Sequence, residues 1–187
     1  MFILFLGAPG SGKGTQGKIV AERLEIPKIT TGDILRAAMK AGTQLGRDAK
    51  KYYDAGQLVP DQVILGLIKE ELGKPGATAG AVFDGFPRTP GQAELVDQVL
   101  ATRNQRLNHV MLLDVDEKEL VQRLHGRARV EGRSDDSPEA IQIRLQTYQR
   151  ETAPLVAYYA PRGIVHRIPG SGTVEHIAQE IKRVLGR

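Results

Sequence analysis

Cysteine is absent from this 187-residue sequence, and so is tryptophan. Without cysteine there is no disulfide and no thiolate metal site, which suits the reducing cytoplasm and sets the expected location. Aromatic residues make up only 5% of the chain. That is too few to provide stacking platforms for single-stranded nucleic acid, so no nucleic-acid partner is expected, despite a net charge of +4 and a pI near 9.4. No apolar run approaches the roughly 18 residues that mark a spanning helix, so no membrane partner is expected. Met1 leads straight into Phe2-Ile3-Leu4-Phe5-Leu6 with no basic segment before it, and no secretory signal is expected. What is present, 41% hydrophobic and 26% charged residues, is ordinary for a globular domain.

Strand-like apolar runs recur at Phe2–Leu6, Lys28–Thr30, Gly80–Phe83, His109–Val115 and Ile164–Ile168. Helical spacing links Val63, Ile64, Leu67, Ile68 and Leu72, and again Val174, Ile177, Ala178, Ile181, Val184 and Leu185. Thr89-Pro90 and Ser137-Pro138 each set a capping hydroxyl before a first-turn proline, and Thr173 caps the last helix. Short apolar strands alternating with helices predict an α/β fold whose parallel sheet is covered on both faces. Two stretches interrupt the alternation. Residues 30–60 carry more chain than one crossover needs, and residues 128–136, "ARVEGRSDD", lack an apolar face. Both are candidates for flaps over a site.

"GAPGSGKGTQ", Gly7 to Gln16, follows the first strand. Glycines around one lysine, between a strand and a helix, describe a backbone cradle for phosphates, with Lys13 as a point charge. Gly14 stands where such loops usually have Ser or Thr, and Thr15 follows, so a direct hydroxyl ligand to Mg²⁺ is in doubt. "TTGDILR", Thr30 to Arg36, reads as a helix start with Thr31 as cap. "FDGFPRT", Phe83 to Thr89, ends a strand in Asp84 at the edge where parallel sheets bind ligands. Asp84 is therefore a candidate for holding Mg²⁺ through water. Arg123 and Arg127 lie four apart on one helical face, and Arg133 and Arg144 follow closely. His109, His125, His166 and His176 read as scattered, each solvated or packed.

Together these motifs resemble the adenylate kinase family, which interconverts ATP plus AMP with two ADP. The resemblance runs essentially end to end, through Gly7–Gln16, Thr30–Arg36, Asp54–Pro60, Phe83–Gln92, Arg123–Asp136 and Arg144–Tyr159. It implies a P-loop kinase with a five-stranded parallel sheet, made of core 1–29, 60–126 and 138–187, a helical NMP-binding insertion over 30–59 and a short lid over 127–137. It also implies that Gly10, Ser11, Gly12, Lys13, Gly14, Thr15, Arg123, Arg127 and Gly172 bind ATP. AMP contacts fall on Thr31, Arg36, Gln57, Leu58, Val59, Gly85, Phe86, Pro87, Arg88 and Gln92. Arg133 and Arg144 lie between the two nucleotides, and Lys13, Asp84, Arg88, Arg123, Arg133 and Arg144 form the catalytic set. Mg²⁺ is the implied cofactor, and the implied state is a monomer. Many relatives carry a longer lid, often with zinc; this sequence has neither the length nor the cysteines, so no zinc site is expected.

The chemistry agrees with the residues. Phosphoryl transfer spreads charge over equatorial oxygens, so its catalyst is positioning plus cations. An AMP phosphate oxygen is already anionic and needs no general base. The nearest rival is a uridylate or cytidylate kinase of the same fold, whose pattern typically has alanine at position 31 and asparagine at position 89. Thr31, Thr89 and Gln92 follow the adenylate version. A nucleotide-hydrolysing switch would need a water-positioning residue and usually Ser or Thr at position 14.

Overall fold

The computed structural model describes residues 1–55, 57–132 and 134–186. Its centre is β1 (Phe2–Leu6), five consecutive apolar residues that are all buried. A strand buried on both faces must satisfy two cores at once. Phe2, Leu4 and Leu6 point into one apolar cluster, while Ile3 and Phe5 point into the other. Around it lie β2 (Lys28–Thr30), β3 (Ala81–Asp84), β4 (Leu107–Asp114) and β5 (Val165–Pro169), in the order β2-β3-β1-β4-β5. Every pairing is parallel. The five runs expected from the sequence are these strands, shifted by two residues or fewer at their ends.

The chain leaves β1 through α1 (Lys13–Leu24) toward β2 on one side of the sheet. It leaves β3 through α5 (Pro90–Ala101) toward β4 on the other. Adjacent strands whose outgoing loops part in opposite directions leave a crevice at their carboxyl ends. The β1–β3 register pairs Phe5 with Asp84, which sets the glycine-rich loop beside Asp84-Gly85. On one sheet face lie α1 and α9 (Val174–Leu185), contributing Val20, Ala21, Ile177 and Ile181. On the other lie α4 (Asp61–Gly73), α5 and α8 (Leu155–Tyr159), contributing Ile68, Val96 and Tyr159.

The stretch after β2 forms α2 (Thr31–Lys40) and α3 (Gln44–Asp54). One local expectation changes here. Thr31 is the first helical residue and not the cap: Thr30 holds the cap position without a side-chain bond, and the Thr31 hydroxyl donates across the crevice to Gly85 O at 2.9 Å. The capping hydroxyls of Thr89, Ser137 and Thr173 each accept from a backbone N–H three residues on, as their spacing predicts. Beyond β4, α6 runs from Glu117 to Glu131, so Arg127 sits on a helix and not in a loop. A 3₁₀ turn (Ser134–Asp136), α7 (Pro138–Thr147) and a π-helical turn (Tyr148–Thr152) lead to α8.

Where α3 crosses α2, Gly46 presses directly on backbone: a Cβ there would lie 2.2 Å from Ala38 O. Gly46→Ala is expected to lower unfolding stability by about 1–3 kcal/mol, because backbone cannot step aside as a side chain would. In Gly126→Ala, inside α6 with nothing within 4 Å of the new methyl, helix propensity should add roughly 0.5–1 kcal/mol instead. Denaturant melts of the two variants check the opposite signs.

Candidate active site

The cradle is built from backbone. Gly12, at φ +94°, caps α1 with no side-chain bond, and no acidic residue occupies the first turn. The leading N–H groups of α1 and its positive end therefore face the crevice. Gly10, at φ +84°, could not hold a Cβ without meeting Leu124 Cγ at 3.0 Å and Leu120 O at 3.1 Å. The loop is thus wedged against α6. Ser11 is buried beneath the cradle, 1% exposed. Lys13 bends back over its own loop, with Nζ donating to Gly7 O at 2.7 Å and Ala8 O at 2.8 Å and approaching Ser11 Oγ at 3.4 Å. Burial drives its pKa down to about 8; Asp84 opposes that shift, and Arg88, Arg144 and Arg127 reinforce it.

Asp84 faces the cradle from the end of β3, with its side chain 10% exposed. Lys28 Nζ stands 3.5 Å from Asp84 Oδ2 and donates to Gly14 O at 3.1 Å. Gly14 matters here. A Cβ at position 14 would stand in ordinary contact with Asp84 Oδ2 at 3.5 Å, so the hydroxyl that usually follows the loop lysine would lie beside this carboxylate.

Arginines close the cleft from above. Arg127 grips Asp136 with both arms of its fork, Nε to Oδ2 and Nη2 to Oδ1, each at 2.6 Å. Arg144 Nη1 reaches Asp136 Oδ1 at 2.5 Å, Asp135 Oδ2 at 2.8 Å and Asp135 O at 2.9 Å. The Asp136 side chain is fully enclosed. Arg127 pays for its burial through these carboxylates, and its pKa is raised in consequence. Arg88 fares differently. It donates from Nε to Gly85 O at 2.7 Å, and burial and the charge on Arg144 push its pKa down, against Asp84 and Asp135. Arg123 donates to Glu119 within α6 and ties the helix to the loop after β5 through Gly170 O at 2.9 Å. The expected site residue Arg133 lies outside the described residues.

The cleft has a cavity volume of about 660 Å³. Of the residues expected from the sequence, Gly10, Gly12, Lys13, Gly14, Thr15, Arg36, Leu58, Asp84, Gly85, Pro87, Arg88, Arg123, Arg127, Arg144 and Gly172 line it. A chamber of about 50 Å³ adjoins it, sharing Leu58, Gly85, Arg88 and Arg144 and adding Thr31, Gln57, Val59, Phe86 and Gln92. Ser11 lines neither. Gln92 is buried, and its amide is engaged on both sides: Oε1 accepts from Arg88 N at 2.7 Å, and Nε2 donates to Asp61. Each end keeps one further hydrogen-bonding position. Arg36 donates to Asp33 and to the Tyr53 hydroxyl at 2.6 Å, and both partners line the cleft with it.

The geometry is a nucleotide-phosphate cleft, and comparison with known proteins agrees. The adenylate kinase family model matches residues 5–164. An adenylate kinase of Leptospira biflexa serovar Patoc is 49% identical over 179 residues, covering 96% of both chains. One from Thermus thermophilus is 46% identical over 184 residues, covering 98% of this chain and 96% of its own. One from Methanothrix thermoacetophila is 43% identical, covering 100% and 99%.

The chain belongs to the adenylate kinase family.

Adenylate kinases work on adenine nucleotides with magnesium, and the residues here fit such an ion. A lone recessed carboxylate, Asp84, faces a cradle that Gly14 leaves bare. This suits Mg²⁺, which keeps most of its waters and takes one or two carboxylates. Sequence reasoning missed Lys28, Asp135 and Tyr53 as cleft residues, and Asp136 as the enclosed partner of Arg127 and Arg144. Lys28 read only as the start of a strand, and no local signal marked it. Asp135 and Asp136 read as polar flap, although a carboxylate pair among arginines is a fair hint of ion pairing.

The depressed Lys13 pKa carries a sign. Between about pH 8 and the ordinary lysine value of 10.5 the folded chain holds fewer protons at Lys13 than the unfolded chain. Its contribution to stability should therefore rise with pH across that window. Denaturant melts from pH 7.5 to 10.5 should show the parent gaining on Lys13→Met. The same variant should lose about 3–5 kcal/mol of transition-state stabilisation in kcat/KM. Parallel pH curves, or turnover close to the parent's, would contradict this account of Lys13.

Proposed function

We propose that this chain catalyses reversible Mg²⁺-dependent phosphoryl transfer from ATP to AMP, with ATP on the cradle side of the cleft and AMP in the chamber side. One observation carries the proposal. A lysine-bearing phosphate cradle and several guanidiniums converge on one cleft that adjoins a small, partly polar chamber. That set suits positioning and charge neutralisation.

In this reading Gly10–Thr15, Arg123, Arg127 and Gly172 hold ATP. Thr31, Arg36, Gln57–Val59, Gly85–Arg88 and Gln92 hold AMP, and Arg133 and Arg144 span the phosphates between them. Asp84 holds Mg²⁺ through water; when bound, the ion neutralises charge across the phosphate oxygens. The attacking AMP oxygen is already anionic. Lys13 swings from the carbonyls of Gly7 and Ala8 to the transferring group, trading neutral acceptors for charged ones. Arg127 and Arg144 exchange Asp135 and Asp136 for phosphate oxygens as residues 30–59 and 127–137 close and exclude water. The enzyme is read as a cytoplasmic monomer with small-molecule partners, with no zinc in the lid or the reaction and no nucleic-acid or membrane partner.

Acceptor choice tests the proposal. A pocket built to hydrogen-bond one base leaves buried groups unpaired with another, at about 1–3 kcal/mol for each. AMP should therefore exceed UMP, CMP and GMP by at least roughly a hundredfold in kcat/KM, followed as diphosphate formation by chromatography. Gln92→Leu should erode that margin mainly by weakening AMP use. Comparable rates with UMP in the parent would favour the pyrimidine-nucleotide kinase instead.

Metal dependence gives a further check. Activity should survive exhaustive treatment with a zinc-selective chelator and vanish when Mg²⁺ is removed. Loss of turnover under the zinc chelator would count against the reading.

A further inference from the structure

The histidines that read as scattered include a pair. His109, on β4, and His166, on β5, face each other with Nδ1 and Nε2 3.1 Å apart. Their ring centroids are 5.2 Å apart, and the planes are inclined by 40°. The register pairs His166 with Met111, so His109 is its diagonal neighbour on the same sheet face. Each ring is half-buried, reachable from solvent yet braced by strand backbone.

We propose that His109 and His166 form a binding site for a late first-row divalent cation such as Zn²⁺, Ni²⁺ or Cu²⁺. The spacing is the first support. At metal–nitrogen distances of about 2.0–2.1 Å, two nitrogens lie about 2.9 Å apart at a right angle and about 3.4 Å apart at a tetrahedral angle. The observed 3.1 Å falls between them, so one ion can bridge both nitrogens once the rings turn their lone pairs to a common point. Donor type is the second support, since imidazole selects these cations over Mg²⁺ and Ca²⁺. Protonation state agrees. Burial lowers both histidine pKa values, and for His109 the neighbouring His166 lowers it further, so both rings are neutral ligands at pH 7. Binding requires the protons on His109 Nε2 and His166 Nδ1, which replaces the present ring-to-ring contact with two metal bonds.

No third acidic or histidine ligand joins the pair among the described residues, so water completes the shell and the ion exchanges readily. The site lies toward the amino-terminal ends of β4 and β5, away from the carboxyl ends that hold the nucleotide cleft. An ion there clips edge strand β5 to β4 and stabilises the fold without entering the reaction.

Calorimetry of the full-length, nucleotide-free protein with ZnCl₂ and with NiCl₂ tests this. One equivalent should bind, the thermal midpoint should rise with metal, and any signal from MgCl₂ should be the same in the double variant His109→Gln/His166→Gln. His109→Gln and His166→Gln should each weaken binding by roughly tenfold or more, since one donor is lost from a chelating pair. His125→Gln should bind as the parent does. With Cu²⁺, electron paramagnetic resonance of the parent should show two equivalent nitrogen couplings, a readout that requires no variant to fold. Binding unaltered in the double variant His109→Gln/His166→Gln, loss of binding in His125→Gln, or no binding by the parent would each overturn the proposal.

Discussion

Parallel pairing of β1 with β3 is the constraint on which the site rests. With Phe5 opposite Asp84, the two strands end together, and the loops that leave them part in opposite directions. The crevice between those loops receives the bare N-terminal end of α1 from one side and a carboxylate from the other. Slipping this register by one residue would turn Asp84 into an apolar cluster and Phe83 out of it. Burying that carboxylate without a partner is what opposes the slip, since β1 itself is apolar on both faces.

A cleft made to receive phosphates must gather positive charge, and gathered charge repels itself. The chain manages this with internal ion pairs and hydrogen bonds. Asp136 occupies the forks of Arg127 and Arg144, Lys13 rests on carbonyl oxygens, and Lys28 sits beside Asp84. Arg88 has less compensation, and its lowered pKa records the burial and the nearby Arg144. Such contacts hold the cations near their working positions while leaving them exchangeable. Under the proposed function, phosphate oxygens would compete with these carboxylates for the same guanidinium forks.

Much of this was legible in the sequence for local reasons. A glycine-rich loop around one lysine has few other uses, and the alternation of short apolar strands with helices leaves few topologies. Capping hydroxyls before Pro90 and Pro138, and at Thr173, work through contacts three residues away, so reading them needs no fold. Thr31 shows the limit of that method. Its hydroxyl had a plausible local job as a helix cap, and the structure spends it on Gly85, more than fifty residues on.

What the sequence determined by itself, then, is the list of parts whose physics is local: the cradle, the caps, the apolar strands and the charge types needed for phosphoryl transfer. Only tertiary structure decided which parts meet. Lys28 joins Asp84, Gln92 is held between Arg88 and Asp61, and His109 finds His166 across two strands. Each of those meetings depends on strand order and register, which come from packing both faces of the sheet at once. Sequence spacing along the chain carries no record of that choice.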